Sequence, residues 1–282
     1  MKRLLAKILA AIVITTTITN IGVSSNIYAN TMYRNNQEST DKNEKWNLVW
    51  EDNFNGDYLN LQDWNYETHE PGWVNNELQE YTDDIRNIYV DNGNLVIKAI
   101  KEETEDGIKY TSGKVTTQNK HDYKYGRFEA RLKVPEGQGL WPAFWMMPTE
   151  EELYGSWPRC GEIDIMEEVG YDPTHVLSSV HCDRHYGGNS KSGGLEVKDC
   201  QTAFHVYACE WTPDYIKFFV DGKQIHLYKN DGGGNDTWPF DKPFYIKLNN
   251  AFGGNWGGKN GVDYSCLPTI YEIDYVRVFQ KK

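Results

Sequence analysis

The sequence predicts an all-β domain, and three observations favour this fold class. First, short segments rich in β-branched and aromatic residues recur along the chain, separated by Gly, Asn and Asp. Second, residues 91–94 and 221–222 have the composition of tight hairpin turns, because Gly and Asn tolerate the positive φ that such turns demand. Third, we find no long amphipathic helical pattern and no repeat with a period of about 20 to 50 residues.

The segments with strand-like composition define the expected elements. They lie at residues 48–50, 95–99, 127–134, 204–211, 216–220, 244–250 and 270–278. Many short strands in one chain need a partner layer to bury their apolar faces, so a jelly roll of two antiparallel sheets is the natural architecture.

The N-terminus has the organisation of a secretory signal peptide. Basic residues precede an apolar, threonine-rich run over residues 8–23, and a small residue, Ala29, ends the segment. A membrane anchor is the alternative, but the run is short for a span and is interrupted by threonines. We therefore predict a signal peptide, a disordered polar leader and a catalytic domain at residues 1–29, 30–44 and 45–282.

Composition restricts the partners. The chain carries a formal charge of −12 at neutral pH, which argues against nucleic acid and against an anionic membrane surface. The same charge disfavours sulfated or uronic polysaccharides, so a neutral glycan is the better substrate class. The 19 Tyr and 10 Trp residues suit stacking on sugar rings, although they also suit a β-sheet core.

Five cysteines occur, all between residues 160 and 266. An odd number leaves at least one unpaired within a monomer, and their spacing matches no zinc motif. Cys182 and Cys200 flank a Gly-rich loop and could form a bridge, whereas buried free thiols are expected at Cys160 and Cys209.

The candidate catalytic strand is the segment Gly-Glu-Ile-Asp-Ile-Met-Glu-Glu at residues 161–168. Since side chains alternate between the faces of a strand, Glu162 and Asp164 share one face while Ile163 and Ile165 point into a core. Acids crowded along one strand repel each other. A fold accepts that cost mainly where protons are exchanged at a developing charge, as in glycoside hydrolysis by paired carboxylates.

Strict alternation would place Glu167 on the apolar face and Met166 among the acids. We therefore predict a β-bulge near Met166, because one extra residue returns Glu167 to the face of Glu162, and bulges are frequent beside active sites. The two glutamates could then approach to the roughly 5 Å separation of a retaining glycosidase. Glu168 is the alternative partner, either further along the strand or on its opposite face.

At these residues the chain resembles glycoside hydrolase family 16, in particular its laminarinase branch. Besides residues 162–167, the segments that carry the resemblance lie at 72–81, 126–131, 141–148, 204–211 and 274–278, and they span nearly the whole chain from Trp46 onward. The lichenase branch lacks the residue equivalent to Met166, so the longer spacing favours the laminarinase side. The resemblance implies a concanavalin A-like jelly roll with a concave substrate groove.

We expect Glu162 to be the nucleophile and Glu167 to be the acid and base, with Asp164 raising the pKa of the acid by like-charge repulsion. The family positions that hydrogen-bond sugar hydroxyls are matched by Asn75, Arg127 and His181. Tryptophans near the motif and in a Gly-rich loop are candidates for packing on sugar rings, and for each of them core packing is the alternative; they are Trp141, Trp145, Trp157 and Trp256.

The resemblance also implies a structural calcium ion far from the catalytic residues. Asp274 matches its carboxylate ligand and Gly93 matches a carbonyl ligand, and hard oxygen ligands suit calcium. Asn53 stands where laminarinases usually have Glu, which predicts either weaker affinity or substitution by Glu51. No cofactor is expected for catalysis.

The sequence therefore predicts a secreted, monomeric, retaining endo-β-1,3-glucanase that acts on laminarin-like, neutral β-glucan. A mixed-linkage β-1,3-1,4-glucanase is the alternative enzyme, because it would use the same acids. From another class, the alternative is a non-hydrolytic, lectin-like β-glucan-binding module on the same fold. Such modules typically lack one of the catalytic acids, whereas all three are present here.

Overall fold

The computed structural model describes residues 45–282, so the predicted signal peptide and leader lie outside the described residues. Within this range the helical segments are two short 3-10 turns at Gly187–Asn189 and Gly234–Asp236. The strands are β1 Trp46–Asp52, β2 Asn65–Tyr66, β3 Glu80–Thr82, β4 Ile88–Asp91, β5 Asn94–Thr104, β6 Gly107–Thr116, β7 Asp122–Tyr123, β8 Gly126–Lys133, β9 Leu140–Pro148, β10 Glu162–Glu167, β11 His175–His181, β12 Lys191–Glu196, β13 His205–Trp211, β14 Tyr215–Val220, β15 Lys223–Lys229, β16 Phe244–Phe252 and β17 Thr269–Lys281. The all-β prediction is confirmed.

The two predicted hairpin turns are present. Asn92 and Gly93 connect β4 to β5 with φ of 50° and 74°, and Asp221 and Gly222 connect β14 to β15 with φ of 48° and 76°. Two consecutive residues with positive φ give the turn twist that matches antiparallel strands. No helix in the described part of the chain is long and apolar enough to cross a bilayer.

All strands except β3, which pairs in parallel with β6, lie in two sheets. The first sheet contains β1, β4, the first half of β5, β8, β13, β14, β15 and β17. The second contains β2, the last part of β6, β7, β9, β10, β11, β12 and β16. The second half of β5 pairs with the first half of β6, so this one hairpin passes from the first sheet to the second.

The core lies between the sheets and is built from alternate residues of both. Phe128 and Val276 from the first sheet pack in one cluster with Phe144, Ile163 and Ile246 from the second, and all five are fully buried. Gly113 lies where β6 enters the second sheet, and a Cβ there would collide with Ile88. Each sheet thus turns one face inward and leaves its other face for surface contacts.

Two expectations concern buried groups. All five cysteines are free, so the open alternative of a bridge between Cys182 and Cys200 is not realised.

Glu168, which directly follows β10, is fully buried, and its Oε2 has no hydrogen-bond partner. Burial, with a smaller contribution from the charge of Asp172, raises the pKa of Glu168 to about 8. This carboxyl is therefore protonated at neutral pH.

We expect Glu168→Gln to flatten the pH dependence of stability. The unfolded chain releases this proton near pH 4.5, whereas the folded chain holds it to about pH 8. The folded state therefore binds the extra proton between these limits, and the stability of the wild type falls as the pH rises through that window. The advantage of the variant should grow by up to about 1.4 kcal/mol per pH unit there.

Urea denaturation at about pH 5, 6.5 and 8 measures the difference in unfolding free energy between the variant and the wild type. Glu103→Gln, on the exposed part of β5, is the matched control, because it removes a carboxyl that is not buried. A difference for Glu168→Gln that does not vary with pH would contradict the raised pKa of Glu168.

Candidate active site

A β-bulge in β10 sets the direction of the predicted acids. Between Asp164 and Glu167, β10 advances three residues while its partner β11 advances two, from Ser179 to Leu177. The pairing of β10 with β9 shifts at the same place, between Asp164 and Met166. The predicted bulge is therefore confirmed, and one extra residue in β10 changes the face to which the following side chains point.

Because of the bulge, Glu162, Asp164 and Glu167 share the face of the second sheet that is turned away from the core, here called the site face. Ile163 and Met166 are fully buried on the opposite side, in the core. Glu168, the alternative partner, is also directed inward. The structure thus brings together the preferred set of three acids and excludes Glu168.

Glu162 is held from two sides. The Trp157 Nε1–H donates a hydrogen bond to Glu162 Oε2 at 2.8 Å. His181, directly opposite Glu162 in the register of β11, places Nε2 at 3.9 Å from Glu162 Oε1 and at 3.1 Å from Asp164 Oδ2. The Trp157 hydrogen bond and the nearby His181 ring thus flank the two oxygens of the Glu162 carboxylate.

Asp164 is the most deeply buried of the three acids on the site face, with 2% of its surface exposed. Burial raises its pKa well above the usual range, and the charge of Glu162 and a hydrogen bond between the two carboxyls act in the same direction. Asp164 Oδ2 has no hydrogen bond of good geometry despite its 3.1 Å contact with His181. These effects favour the protonated form of Asp164.

Glu167 retains 8% exposure on the site face. Burial raises its pKa well above the usual range, and the negative charge of Asp164 adds to this effect. The Trp141 Nε1–H donates to Glu167 Oε1 at 2.9 Å and acts in the opposite direction, because it stabilises the ionised form. The net effect favours a protonated carboxyl at neutral pH, which is the form a general acid needs.

The four predicted tryptophans all lie at or beside these acids. Trp141 and Trp157 hydrogen-bond Glu167 and Glu162. Trp145 is directly opposite Asp164 in the register of β9, and its Nε1–H donates to Asn249 Oδ1 at 2.7 Å. Trp256 meets Trp141 edge to face, with ring centroids 5.1 Å apart. The tryptophans therefore border the carboxyl groups, and Trp145 also packs against the small buried cluster of Met147, Cys160 and Tyr245.

Asn75 is brought to the same end of the site as Trp256. Its backbone has a positive φ of 53°, and its carbonyl oxygen accepts a hydrogen bond from the Asn255 N–H at 2.7 Å. An isolated bridge between Glu77 and Gly253 holds the two loops together. The loop of Asn75 and the Gly-rich loop of residues 253–258 are thus fixed against each other.

Arg127 is not at the site, and this corrects the prediction that it binds sugar there. It lies on β8 in the first sheet, where its neighbour Phe128 points into the core. Its guanidinium forms ion pairs with Glu129 and Glu210 at 3.0 Å each. The side chain therefore occupies the outer face of the other sheet.

Sequence reasoning missed a buried charged group on the site face. Lys247 on β16 is directly opposite Trp145, and Lys114 on β6 is directly opposite Asn249. Both ammonium groups contact the Glu67 carboxylate, at 3.0 Å for Lys114 and 2.8 Å for Lys247, and both lie over the Trp145 ring. The signal was the period-two placement of Lys247 and Asn249 between apolar residues of β16.

These charges control each other's ionisation. Burial raises the pKa of Glu67, but the two ammonium groups outweigh it and lower the pKa to about 2. Burial and the neighbouring charge of Lys247 lower the pKa of Lys114 to about 8. The cluster thus sets one carboxylate against two amino groups beside Trp145, which is directly opposite Asp164 in the register of β9.

Glu162, Asp164 and His181 form the one group of three possible metal ligands within 4.8 Å of one another that the described chain contains. The Gly187 N–H, however, donates a hydrogen bond to His181 Nδ1 at 3.1 Å. The neutral ring must then carry its proton on Nε2, the atom that faces the carboxylates. A protonated nitrogen cannot bind a metal ion, so this group does not fit a metal centre.

The residues predicted to hold calcium also do not fit that ion. Glu51 Oε2 accepts a hydrogen bond from Arg277 Nε at 3.0 Å, and Asp274 Oδ2 accepts one from Arg131 Nη1 at 2.7 Å. Gly93 lies in the turn between β4 and β5. The two carboxylates thus neutralise separate guanidinium groups instead of forming an oxygen cage for a cation.

A β-sandwich whose outer face carries three carboxyls bordered by tryptophans, with the pKa of Asp164 and of Glu167 raised by burial, is typical of a hydrolase that cleaves carbohydrate chains. The family model described as glycosyl hydrolases family 16 matches residues 69–277. The chain belongs to this family and is a glycoside hydrolase.

Relatives of the chain cover most of its length. A protein named beta-glucanase from Rhodothermus marinus is 43% identical over 256 residues, which are 86% of this chain and 88% of that protein. A glucan endo-1,3-beta-glucosidase from Cryptopygus antarcticus is 41% identical over 82% of this chain and 91% of its own. The solved structure of the laminarinase from Rhodothermus marinus superposes with a TM-score of 0.81 at 40% identity, covering 86% of this chain and all of that one.

Because arginines occupy the expected calcium ligands, we expect calcium to leave the stability unchanged. Thermal melts of the folded protein should give the same midpoint with excess calcium and with EDTA, since an ion that does not bind the native state cannot stabilise it. A midpoint that rises with the calcium concentration would contradict this reading of Glu51 and Asp274.

Proposed function

We propose that this protein is a secreted, monomeric, retaining endo-β-1,3-glucanase that hydrolyses laminarin-like β-glucans by double displacement. One observation carries the proposal: the bulge in β10 places Glu162 and Glu167 on one face in unlike environments. Glu162 receives a hydrogen bond from Trp157 and is next to His181, whereas burial favours the protonated form of Glu167. Two carboxyls that differ in this way can divide the roles of nucleophile and acid.

In the first step, the Glu162 carboxylate attacks the anomeric carbon while Glu167 protonates the leaving glycosidic oxygen. In the second step, Glu167, now ionised, removes a proton from water, which attacks the glycosyl-enzyme and restores both acids. The hydrogen bond from the Trp141 Nε1–H to Glu167 becomes stronger once Glu167 is ionised, because the acceptor oxygen is then charged. No cofactor is needed for either step.

The substrate assignment rests on chemistry and on kinship. Relatives bear the names beta-glucanase, laminarinase and glucan endo-1,3-beta-glucosidase. The chain charge of −12 disfavours polyanionic glycans, and the tryptophans at the site suit the C–H faces of neutral pyranose rings.

Release of reducing ends from laminarin, compared with lichenan and curdlan, tests which glycosidic linkage the enzyme cleaves. Activity on lichenan alone would favour the mixed-linkage alternative, and binding without release would favour the lectin-like one.

Secretion is supported by the basic residues, apolar run and Ala29 of the N-terminal segment. A monomer is consistent with a single sandwich that buries its core between its own sheets. Mass spectrometry of the protein recovered from the medium, together with its elution volume, tests both proposals.

We expect azide to distinguish the two glutamates. Glu162→Ala should be nearly inactive on an aryl β-laminaribioside that has an activated leaving group. Azide should restore turnover and give a glycosyl azide of inverted configuration, because the small anion replaces the carboxylate nucleophile. Glu167→Ala is the matched control. It should lose roughly 10²- to 10⁴-fold on laminarin and yield an azide of retained configuration.

Nuclear magnetic resonance of the anomeric proton identifies each product. Glu162→Ala with near-normal activity in the absence of azide would remove Glu162 from the mechanism. Inverted product from the Glu167→Ala variant as well would exclude double displacement.

We expect Trp141→Phe to shift the alkaline limb of the pH profile of kcat to higher pH. The Trp141 N–H lowers the pKa of Glu167, so its removal raises that pKa further, by up to about one unit for a single hydrogen bond. An acid with a higher pKa keeps its proton to higher pH. Trp256→Phe is the control, since Trp256 contacts the Trp141 ring. A downward shift in Trp141→Phe would contradict the role of Glu167 as acid.

A further inference from the structure

The four residues 186–189, here called the orienting turn, comprise Tyr186 and the 3-10 turn Gly187–Asn189 between β11 and β12. They contact both groups that orient Glu162. The Gly187 N–H donates to His181 Nδ1 at 3.1 Å, and the Tyr186 ring meets the Trp157 ring edge to face at 5.8 Å. His181 and Trp157 in turn flank the two oxygens of Glu162.

The contact with Gly187 decides which nitrogen of His181 carries the proton. A backbone N–H can donate only to an unprotonated nitrogen, so Nδ1 is the acceptor and Nε2 holds the hydrogen in the neutral ring. Nε2 lies 3.1 Å from Asp164 Oδ2 and 3.9 Å from Glu162 Oε1. The turn therefore places the hydrogen of Nε2, and not its lone pair, beside two carboxyl oxygens.

The other tautomer would place the Nε2 lone pair against the same two oxygens. Asp164 is almost completely buried, so no water can separate the groups, and burial and the charge of Glu162 favour its protonated form. The Asp164 O–H would then donate to the Nε2 lone pair instead of to the Glu162 carboxylate. Glu162 would lose its hydrogen bond with Asp164, which is one of the contacts that orient it.

The contact with Tyr186 acts on the other side of the same carboxylate. Trp157 and Tyr186 are both substantially exposed, at 46% and 49%, and besides Tyr186 the ring that contacts Trp157 is His181, with centroids 5.9 Å apart. An edge-to-face pair stabilises one ring orientation by about 0.5 to 1.5 kcal/mol. The Trp157 Nε1–H can donate to Glu162 Oε2 only in that orientation.

We propose that the orienting turn is a positioning element for Glu162. Gly187 selects the tautomer of His181 through its backbone N–H, and Tyr186 fixes Trp157 through its ring. The inference rests on the proposed nucleophilic role of Glu162, and it assigns to the turn an effect on turnover instead of a direct contact with substrate. Tyr186 and Gly187 are thus positioning residues.

The first test reads the tautomer directly and does not depend on activity. Two-bond ¹H–¹⁵N correlation spectra of ¹⁵N-histidine-labelled protein near neutral pH distinguish the two neutral tautomers and the imidazolium, and the His181→Gln spectrum identifies the His181 signals. We expect the Nε2–H tautomer. An Nδ1–H tautomer or an imidazolium would overturn the proposal, even if the protein hydrolyses laminarin as proposed.

The second test removes the donor and keeps the backbone angle. Gly187 has a φ of 52°, so alanine would strain the turn, and proline, whose ring fixes φ at about −65°, would distort it. Replacing Gly187 with glycolic acid by semisynthesis exchanges its N–H for an ester oxygen and adds no side chain. We expect the ester protein to lower kcat at least about ten-fold with KM changed less than about three-fold, whereas the chain assembled in the same way with glycine should keep the wild-type kcat. A folded ester protein with wild-type kcat would overturn the proposal. If the ester protein does not fold, the wild-type spectrum still decides.

The third test separates positioning from sugar contact. Tyr186→Phe keeps the ring and should behave as the wild type, whereas Tyr186→Ala should lower kcat about three- to ten-fold with little change in KM. A Tyr186→Ala variant that raises KM alone would show that the ring binds substrate and does not act through Trp157. If wild-type protein releases no reducing ends, the proposed function fails, and the tautomer measurement still tests the turn.

Discussion

The site depends on one extra residue in a strand. Without the bulge, β10 would direct Glu162 and Asp164 to one face of the sheet and Glu167 to the other. The two glutamates could then not act on the same glycosidic bond, whatever the arrangement of the loops. The bulge also keeps Ile163 and Met166 in the core, so the strand satisfies the packing between the sheets and the needs of the site at once. Tight packing on the inner face then fixes the direction of the acids on the outer one.

The second constraint is electrostatic. Asp164 and Glu167 are both buried, and each raises the cost of ionising a neighbour, so the three carboxyls cannot all be charged at neutral pH. Tryptophan N–H groups donate compensating hydrogen bonds to Glu162 and Glu167, and the His181 ring contacts Asp164 at 3.1 Å. The unequal proton affinities that the chemistry requires therefore follow from burial and from a few directed hydrogen bonds.

Much of this was accessible from the sequence because it is local. Alternation within a strand gives the face of each side chain relative to the core, and the break in alternation at Met166 was sufficient to predict the bulge. Sheet membership is not local. Arg127 lies on a strand with correct alternation but in the other sheet, whereas Lys114 and Lys247 reach the site from strands far apart in the chain.

The orienting turn escaped prediction for a related reason. Glycines between two strands are typical of an ordinary loop. Their order in the sequence does not indicate that the Gly187 N–H donates a hydrogen bond to His181 Nδ1. The calcium ligands show the opposite failure. Glu51 and Asp274 have the expected residue types, but the guanidinium groups they face belong to Arg277 and Arg131, and those contacts appear only once the strands pair.

The β5–β6 hairpin, which belongs to both sheets, has a consequence for how the molecule comes apart. In a sandwich of two independent sheets, the sheets could separate while each kept its own hydrogen bonds. Here a continuous ribbon crosses between the layers beside Gly113, so separation would have to tear backbone pairs as well as expose apolar surface. Loss of the layer that bears the acids should therefore coincide with loss of the layer behind it, in one cooperative transition.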